Sequence, residues 1–282
     1  MTASADKIEA WDNAGLQYSF ENAVAWLRLN RPQKRNAIDR PLRTALLEAI
    51  HDVSEDPDVR AAVITGNGVA FSSGADLTQE GGPIELPPDR RMGEHTPNDT
   101  RNDGILYGWY RLMERIWRSE KIFITGVNGL AAGGGCQLAL AGDFIICSTE
   151  GSFWEAFVKR GLPLEGGGAW MLPKLTSLVR AKEIAILGEP LPAQTAYEWG
   201  MVNRCVSPDE FPAVLREFAE KVAAGATIRM GQIKGQINSS FEMNMDMTFR
   251  EEVTLMAVGG GDDSREAMLA FRERRDAKFT GR

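Results

Sequence analysis

Residues 122–148 read IFITGVNGLAAGGGCQLALAGDFIICS, and this stretch decides the fold class. Its apolar first part, at 122–127, predicts a buried strand, its glycine-rich middle predicts the start of a helix, and DFIICS predicts the next strand. Upstream, AAVITG at residues 61–66 predicts another buried strand. Strands that alternate with helices pair in parallel, so the sequence predicts an α/β fold with a largely parallel sheet.

The segments on either side of this stretch set the domain organisation. Alternating apolar residues at 16–29 predict a hairpin, and Asp39 predicts the N-cap of the amphipathic helix that follows it. We expect an α/β core over residues 1–205, which includes a polar insertion near 79–103, rich in Gly and Pro, that borders the functional site. Residues 206–282 are expected to form a helical region of the same domain.

The composition excludes several classes of protein. A net charge of −7 argues against general nucleic-acid binding, because a surface that tracks phosphates needs a basic excess. No apolar run approaches the roughly 18 residues of a membrane span, and the N-terminal segment lacks the apolar core of a secretion signal. The cysteines and histidines, Cys136, Cys147, Cys205, His51 and His95, have neither disulfide nor metal-ligand spacing. We expect a cytoplasmic globular protein with no metal and no membrane contact.

Two glycine-bearing turns each follow a predicted buried strand: AFSSGADL at 70–77 and VNGLAAGGGCQLAL at 127–140. In the second, glycines 133–135 open a helix, whose first amides have no internal partner and whose dipole favours negative charge. One amide from each turn would make an oxyanion hole, a pair of N–H groups that stabilises a developing negative oxygen. The alternative is that both are only tight turns between strand and helix.

Together with LNRPQKRNAID at 29–39 and the terminal AFRERRDAKFTGR, these turns resemble the crotonase superfamily of enoyl-CoA hydratases and isomerases. The resemblance runs from about residue 16 to the last residue. It implies a crotonase-like spiral of β-β-α units, followed by a C-terminal helical region that forms a homotrimer or a dimer of trimers. It also implies an acyl-CoA substrate, with coenzyme A as part of that substrate and no separate cofactor.

The resemblance assigns roles to particular residues. The oxyanion amides would be those of Ala75 and Gly134, and the carbonyl of Ser73 would face the adenine amine of coenzyme A. Arg31, Lys34 and Arg35 also cluster on an acidic chain, which independently indicates an anionic partner, although a solvated charged loop is the alternative. The residues expected to contact coenzyme A are Lys34, Arg35, Ala37, Ser73, Asp76, Leu77, Phe157, Phe271 and Arg274, of which Phe271 and Arg274 would often act from a neighbouring subunit.

The sequence departs from the family where a hydratase carries its two acids. Two carboxylates normally share water activation and proton delivery in hydration. Here the first of the family's two places is Gln137, and the second is Phe157. Glu155 lies two residues before Phe157. In a strand, two such residues are on the same face of the sheet and about 7 Å apart. It would substitute only if the strand bulges.

One acid does fall at a place that the family uses. Glu165, in GLPLEGGG, matches the position where dienoyl-CoA isomerases carry an Asp. A carboxylate on such a loop would abstract a proton from a carbon made acidic by the oxyanion hole. The alternative is a plain loop acid that caps the helix starting near Gly167.

These residues favour an acyl-CoA enzyme with isomerase-like or divergent chemistry. In it, Glu165 would move a proton and Gln137 would orient water or substrate. A non-catalytic acyl-CoA binding protein is the alternative, and a hydrolase that cleaves a carbon–carbon bond of cyclic diketones is a third hypothesis. The acyl chain depends on how the insertion and four large side chains pack, namely Met92, Trp154, Phe157 and Trp170.

Overall fold

The computed structural model describes residues 3–78, 106–257 and 261–282, and the predicted insertion, with Met92 and His95, lies outside them. The strands are β1 (Leu16–Glu21), β2 (Val24–Leu29), β3 (Ala61–Gly66), β4 (Ala70–Ser72), β5 (Ile122–Val127), β6 (Leu130–Ala132), β7 (Phe144–Ser148), β8 (Ser152–Trp154), β9 (Leu191–Pro192) and β10 (Arg204–Val206). The α-helices are α1 (Ala5–Asn13), α2 (Arg40–Glu55), α3 (Leu106–Arg118), α4 (Gly134–Leu140), α5 (Gly168–Leu175), α6 (Leu178–Leu187), α7 (Ala193–Glu198), α8 (Phe211–Ala223), α9 (Thr227–Ser240), α10 (Met245–Ala257) and α11 (Asp262–Glu273).

Two sheets form the centre of the fold. The larger has the strand order β1-β2-β3-β5-β7-β10, and the smaller has the order β4-β6-β8-β9. The hairpin β1–β2 is antiparallel, whereas β2, β3, β5, β7 and β10 pair in parallel. Each of β3, β5 and β7 is followed by a short strand of the smaller sheet and then by a helix. This repeated β-β-α unit confirms the predicted fold class.

Apolar side chains fill the space on both faces of the larger sheet. On one face, α2 packs its buried residues against the core that includes β2 and β3. The Asp39 side chain accepts a hydrogen bond from the Leu42 N–H at 3.0 Å, so the predicted N-cap of α2 is confirmed. On the other face, Phe211 and Leu215 of α8 pack against β2, β3 and β5. Among the described residues, no helix is both long enough and apolar enough to cross a membrane.

The strand expected to hold both Glu155 and Phe157 ends earlier than the sequence suggested. β8 stops at Trp154, which pairs with Ala132 at the end of β6. The Ala156 N–H then donates to the Trp154 carbonyl at 2.9 Å, which turns the chain away from the sheet. The interpretation of Glu155 as a strand residue on the same face as Phe157 is therefore wrong, because β6 offers no further partner to pair with.

Candidate functional site

The two glycine-bearing turns lie side by side. β4 and β6 pair in parallel, so the turns that follow them leave the smaller sheet at the same edge. A Cβ placed on Gly74 would lie 3.4 Å from the amide nitrogen of Gly134. The first turn is fixed by Ile38, whose N–H donates to the Gly74 carbonyl at 2.8 Å and whose carbonyl accepts from the Asp76 N–H at 3.0 Å. The structure thus brings together the residues that flank both predicted amides.

The amides of Ala75 and Gly134 differ from those beside them. The Gly74 N–H donates to the Ser72 hydroxyl at 3.1 Å, and the Gly133 N–H donates to the Trp154 carbonyl at 2.9 Å. By contrast, the described residues offer no hydrogen-bond acceptor to the N–H of Ala75 or Gly134. Both residues are half-buried, and their N–H groups are donors left unpaired by the described part of the chain.

Glycine is required where the turns meet. Gly74 has a φ of +89°, a conformation that L side chains rarely adopt, and a Cβ there would lie 2.6 Å from the Ala132 carbonyl oxygen. A Cβ on Gly134 would lie 2.6 to 2.8 Å from the ring of Trp109. The sequence pattern therefore reflects the close approach of α4 to the first turn and to α3.

Gln137 follows Gly134 by three residues, so its side chain lies on the same face of α4. It is fully buried, and its Nε2 donates to the Glu155 carboxylate at 2.9 Å. The Cys136 thiol donates to the other oxygen of Glu155 at 3.4 Å. Burial raises the pKa of Glu155 to about 7, and the hydrogen bond from Cys136 opposes this rise. The turn after β8 thus brings Glu155 to Gln137, a contact that the sequence did not reveal.

The loop that carries Glu165 lies over Gln137. A Cβ on Gly166 would lie 3.1 Å from Cγ of Gln137, and a Cβ on Gly168 would clash with its amide. Glu165 is half-buried, with one carboxylate oxygen shielded from solvent. Gly167, rather than Glu165, occupies the N-cap position of α5. The structure therefore places Glu165 at the start of a glycine loop that covers Gln137 on α4.

The predicted anion-binding cluster is partly neutralised by acids. The buried Asp76 carboxylate accepts hydrogen bonds from Arg31 and Lys34, each at 3.0 Å, and Arg31 also pairs with Asp39 at 3.0 Å. Hydrogen bonds from Thr78, Lys34 and Arg31 hold the pKa of Asp76 well below its usual range. Asp76 therefore braces the first turn against the Arg31–Lys34 segment.

The remaining predicted coenzyme A residues fall into two groups. The Ser73 N–H donates to the Arg35 carbonyl at 2.9 Å, so the segment 34–37 lies against the first turn; Lys34, Arg35 and Leu77 are exposed there, whereas Ala37 is buried. Phe271, which is 82% exposed, lies on α11, and Arg274 caps that helix. Within the described chain, neither of these two side chains is hydrogen-bonded to the segments 34–37 or 73–77.

A cavity of about 540 Å³ lies between α3, α5, α9 and α10 and reaches Gly166 and Gly167, directly after Glu165. Its walls include the edge-to-face pair of Trp117 and Trp170, with ring centroids 4.5 Å apart. Of the side chains expected to shape an acyl pocket, Trp170 lines this cavity. Trp154 and Phe157 do not, and the Trp154 indole N–H instead donates to the Gly188 carbonyl at 2.7 Å.

Known proteins with similar sequences and structures are acyl-CoA enzymes by name. A family model described as enoyl-CoA hydratase/isomerase matches residues 19–282. The 1,2-epoxyphenylacetyl-CoA isomerase of Escherichia coli (strain K12) is 32% identical, over 93% of this chain and 97% of its own. The 4-chlorobenzoyl coenzyme A dehalogenase-2 of Arthrobacter sp is 30% identical, over 90% of this chain and 88% of its own. The crystal structure of an enoyl-CoA hydratase from Bacillus anthracis superposes with a TM-score of 0.84 at 26% identity, covering 95% of this chain and 100% of that one.

Proposed function

The chain belongs to the enoyl-CoA hydratase/isomerase family, and we propose that it holds an acyl-CoA thioester oxygen between the amides of Ala75 and Gly134. The observation that carries this proposal is the position of these amides on touching turns, each without an acceptor among the described residues. Two such donors stabilise the negative oxygen of a thioester enolate. The carbon next to the thioester thereby becomes easier to deprotonate.

Glu165 is the proposed base in this reaction. Its carboxylate takes a proton from the α-carbon of a 3-enoyl thioester, or from the γ-carbon of a 2-enoyl thioester, and the electron pair passes through the carbon chain to the thioester oxygen as a dienolate. Returning that proton to another carbon of the chain moves the double bond, so no atom is gained or lost. This role is supported by the position of Glu165 at the start of the loop over Gln137, because the next two residues of that loop, Gly166 and Gly167, line the cavity.

Isomerase-like chemistry is favoured over hydration because the family's two acid places are occupied by Gln137 and Phe157. An amide cannot exchange a proton in the way that a hydratase acid does. The names of the relatives also support this choice, since they include an isomerase, a dehalogenase and a hydratase. Proteins similar to this chain are thus named for different reactions on coenzyme A thioesters.

The cavity and the surface turns suggest where the substrate lies. At about 540 Å³, the cavity falls within the size range of small-molecule sites, and its Trp117–Trp170 wall suits a bulky acyl group. Two relatives are named for acyl-CoA substrates that carry a six-membered carbon ring, which supports this choice. Coenzyme A would then run along segments 34–37 and 73–77. In a homotrimer or a dimer of trimers, a neighbouring subunit would add Phe271 and Arg274.

Exchange of the α-proton tests the proposal without knowledge of the natural substrate. Phenylacetyl-CoA incubated with the protein in D2O should gain deuterium at the α-carbon. Mass spectrometry measures this gain over time. Glu165→Gln should slow this exchange by roughly 10²- to 10⁴-fold, because the base is lost while the donors remain. Calorimetry should find unchanged affinity for the thioester. Glu189→Gln, a change at an exposed acid, is the matched control and should exchange at the original rate.

A non-catalytic acyl-CoA binding protein is the second candidate, and the replacement of both family acids by Gln137 and Phe157 favours it. Tight binding of acyl-CoA with no exchange above that of the Glu165→Gln variant would establish this candidate and reject the enzyme. A failure to bind any coenzyme A ester would reject both. It would point instead to the carbon–carbon bond hydrolase of cyclic diketones.

A further inference from the structure

The cavity between α3, α5, α9 and α10 is larger than an acyl group with a single ring requires. Its volume is about 540 Å³, whereas a cavity of about 150 Å³ is enough to hold one benzene molecule. A phenylacetyl group would therefore leave much of the space to water, including water against the rings of Trp117 and Trp170. Since burial of apolar surface is favourable, affinity should rise as the acyl group fills more of this volume.

The walls of the cavity suit a flat ligand. Four of the lining residues are glycines, namely Gly166, Gly167, Gly231 and Gly235. Glycine lets a planar group approach the backbone closely, and a Cβ on Gly235 would meet nothing within 4 Å, so the space beside it is open. Trp117 and Trp170 add ring surfaces against which aromatic groups pack. Because a rigid acyl group also loses less conformational freedom on binding than a flexible chain of the same size, these walls favour fused rings.

One polar side chain on the α9 wall is free to bind such a ligand. Gln236 lines the cavity and is half-buried, and no described residue is hydrogen-bonded to its amide. The other uncharged polar side chains of this wall are hydrogen-bonded within the chain, namely Gln232 with Arg229, Asn238 with the Trp117 carbonyl and Ser239 with the Gly235 carbonyl. A free amide offers both donors and an acceptor, so Gln236 is the group of this wall that a polar ligand atom would meet.

The charges around the cavity decide which polar group fits beside Gln236. Glu242 and Glu251 line it, and among the described lining residues Arg118 carries the one positive charge, which is paired with Glu114 at 3.0 Å. A carboxylate on the ligand would meet like charges and be repelled. A hydroxyl is neutral and can both donate to an amide and accept from it. The lining therefore favours a hydroxyl substituent.

We propose that the cavity takes a flat acyl group of two or three fused rings, and that Gln236 binds a hydroxyl on a ring away from the thioester. The inference rests on the proposed function, because it takes the acyl group to enter the cavity beside Gly166 and Gly167, next to Glu165. Gln236 lies on the α9 wall rather than on the loop of these glycines, so it would contact a part of the acyl group remote from the reacting carbon.

The first test compares a flat acyl group with a twisted one of nearly equal size. Calorimetry measures the Kd of phenylacetyl-CoA, 4-biphenylylacetyl-CoA and 2-fluorenylacetyl-CoA, in which fluorene is a biphenyl held flat by one methylene. The fluorenyl ester should bind at least tenfold more tightly than either of the others, whereas the added methylene alone accounts for about fourfold over biphenylyl. Trp170→Leu should lower this advantage over biphenylyl towards fourfold. Trp199→Leu, the matched control at a half-buried tryptophan outside the cavity lining, should keep it.

The second test adds the hydroxyl. Its ligands are the 5-, 6-, 7- and 8-hydroxy derivatives of 2-fluorenylacetyl-CoA, which carry the group on the ring farther from the thioester. One of them should bind about three- to tenfold more tightly than the parent ester, the size of one hydrogen bond. Gln236→Leu should abolish this ratio and leave the Kd of the parent within about threefold. Gln194→Leu, a change at an exposed amide on α7, is the control and should keep the ratio.

Several outcomes overturn the inference. They are a fluorenyl ester that binds no more than fourfold better than the biphenylyl ester, an advantage unchanged in Trp170→Leu, no preferred hydroxy derivative, and a hydroxyl preference that survives in Gln236→Leu. Thermal unfolding shows whether each variant folds, and Gln236→Ala decides the last point should Gln236→Leu fail to do so. Binding of phenylacetyl-CoA without any gain for the fluorenyl ester rejects this inference alone. Failure to bind any of these esters, or acetyl-CoA, rejects the proposed function itself.

Discussion

Glu155 makes the stability of the protein depend on pH with a defined sign. Burial raises its pKa from 4.5 to about 7, so the folded protein holds this proton more tightly than the unfolded chain does. Between these values the unfolded chain releases the proton first, and stability falls as the pH rises. Glu155→Gln removes this titration. We therefore compare the free energy of unfolding of the variant with that of the unaltered protein at each pH. This difference should be about 3 kcal/mol more favourable to the variant at pH 8 than at pH 4.

Urea unfolding at pH 4, 6 and 8 measures this difference directly. The exposed change Glu189→Gln, which removes a surface ion pair with Lys159, is the control, and its effect on stability should be small at all three pH values. A difference for Glu155→Gln that stays constant with pH would show that the Glu155 carboxyl titrates normally in the folded protein.

Asp76 should behave in the opposite way. Its pKa is held well below 3.8 by Thr78, Lys34 and Arg31, so its stabilisation is present above that value and is lost as the pH falls through the folded pKa. Asp76→Asn should cost about 2 kcal/mol at pH 7, since two charge-assisted hydrogen bonds lose their acceptor charge. Thermal unfolding measures the loss, and the neighbouring exposed change Leu77→Ala should have almost no effect. Weakened acyl-CoA binding with unchanged stability would instead make Asp76 a ligand contact.

At the scale of single elements, α9 carries a glycine that faces empty space. Gly235 lines the cavity, and a Cβ placed there meets nothing within 4 Å. Gly235→Ala should stabilise the protein by roughly 0.5 to 1 kcal/mol, because alanine favours the helix interior.

Gly235→Phe should fill the cavity and weaken phenylacetyl-CoA binding more than tenfold while leaving acetyl-CoA within about twofold. If Gly235→Phe binds phenylacetyl-CoA as tightly as Gly235→Ala does, and acetyl-CoA likewise, the acyl group lies elsewhere.

The elements also show which parts of the structure could be predicted. The hairpin and the α2 cap follow from local pattern, and both are confirmed. The turn after Trp154 depends instead on where β6 ends, because β8 can extend only while Leu130–Ala132 offers partners. The residues around Glu155 do not determine where β6 ends. The contact between Glu155 and Gln137 could therefore not be predicted from the sequence. The glycines at 74 and 134 were recognisable as a pattern, whereas the reasons for them differ: a positive φ and the Ala132 carbonyl restrict position 74, and the ring of Trp109 restricts position 134.

At the scale of the whole molecule, the C-terminal helices expose large apolar side chains. Ile237 on α9, Val253 and Met256 on α10, and Phe271 on α11 are between 57% and 83% exposed. Apolar surface of this kind on a folded chain usually marks an interface. These helices belong to the region from which we expect a homotrimer or a dimer of trimers to form. Assembly would cover this surface and could bring Phe271 to a neighbouring site.

Light scattering after size exclusion should therefore give a mass of three or six chains. Val253→Arg places a charge on the exposed face of α10 and should shift the mass towards one chain, since burial of an unpaired charge is unfavourable. If Phe271 and Arg274 complete a neighbouring site, the same variant should also weaken acyl-CoA binding. Val69→Arg, at an exposed position outside these helices, should change neither property. A single-chain mass for the unaltered protein would reject assembly, and unchanged binding by a monomeric Val253→Arg would confine the site to one chain.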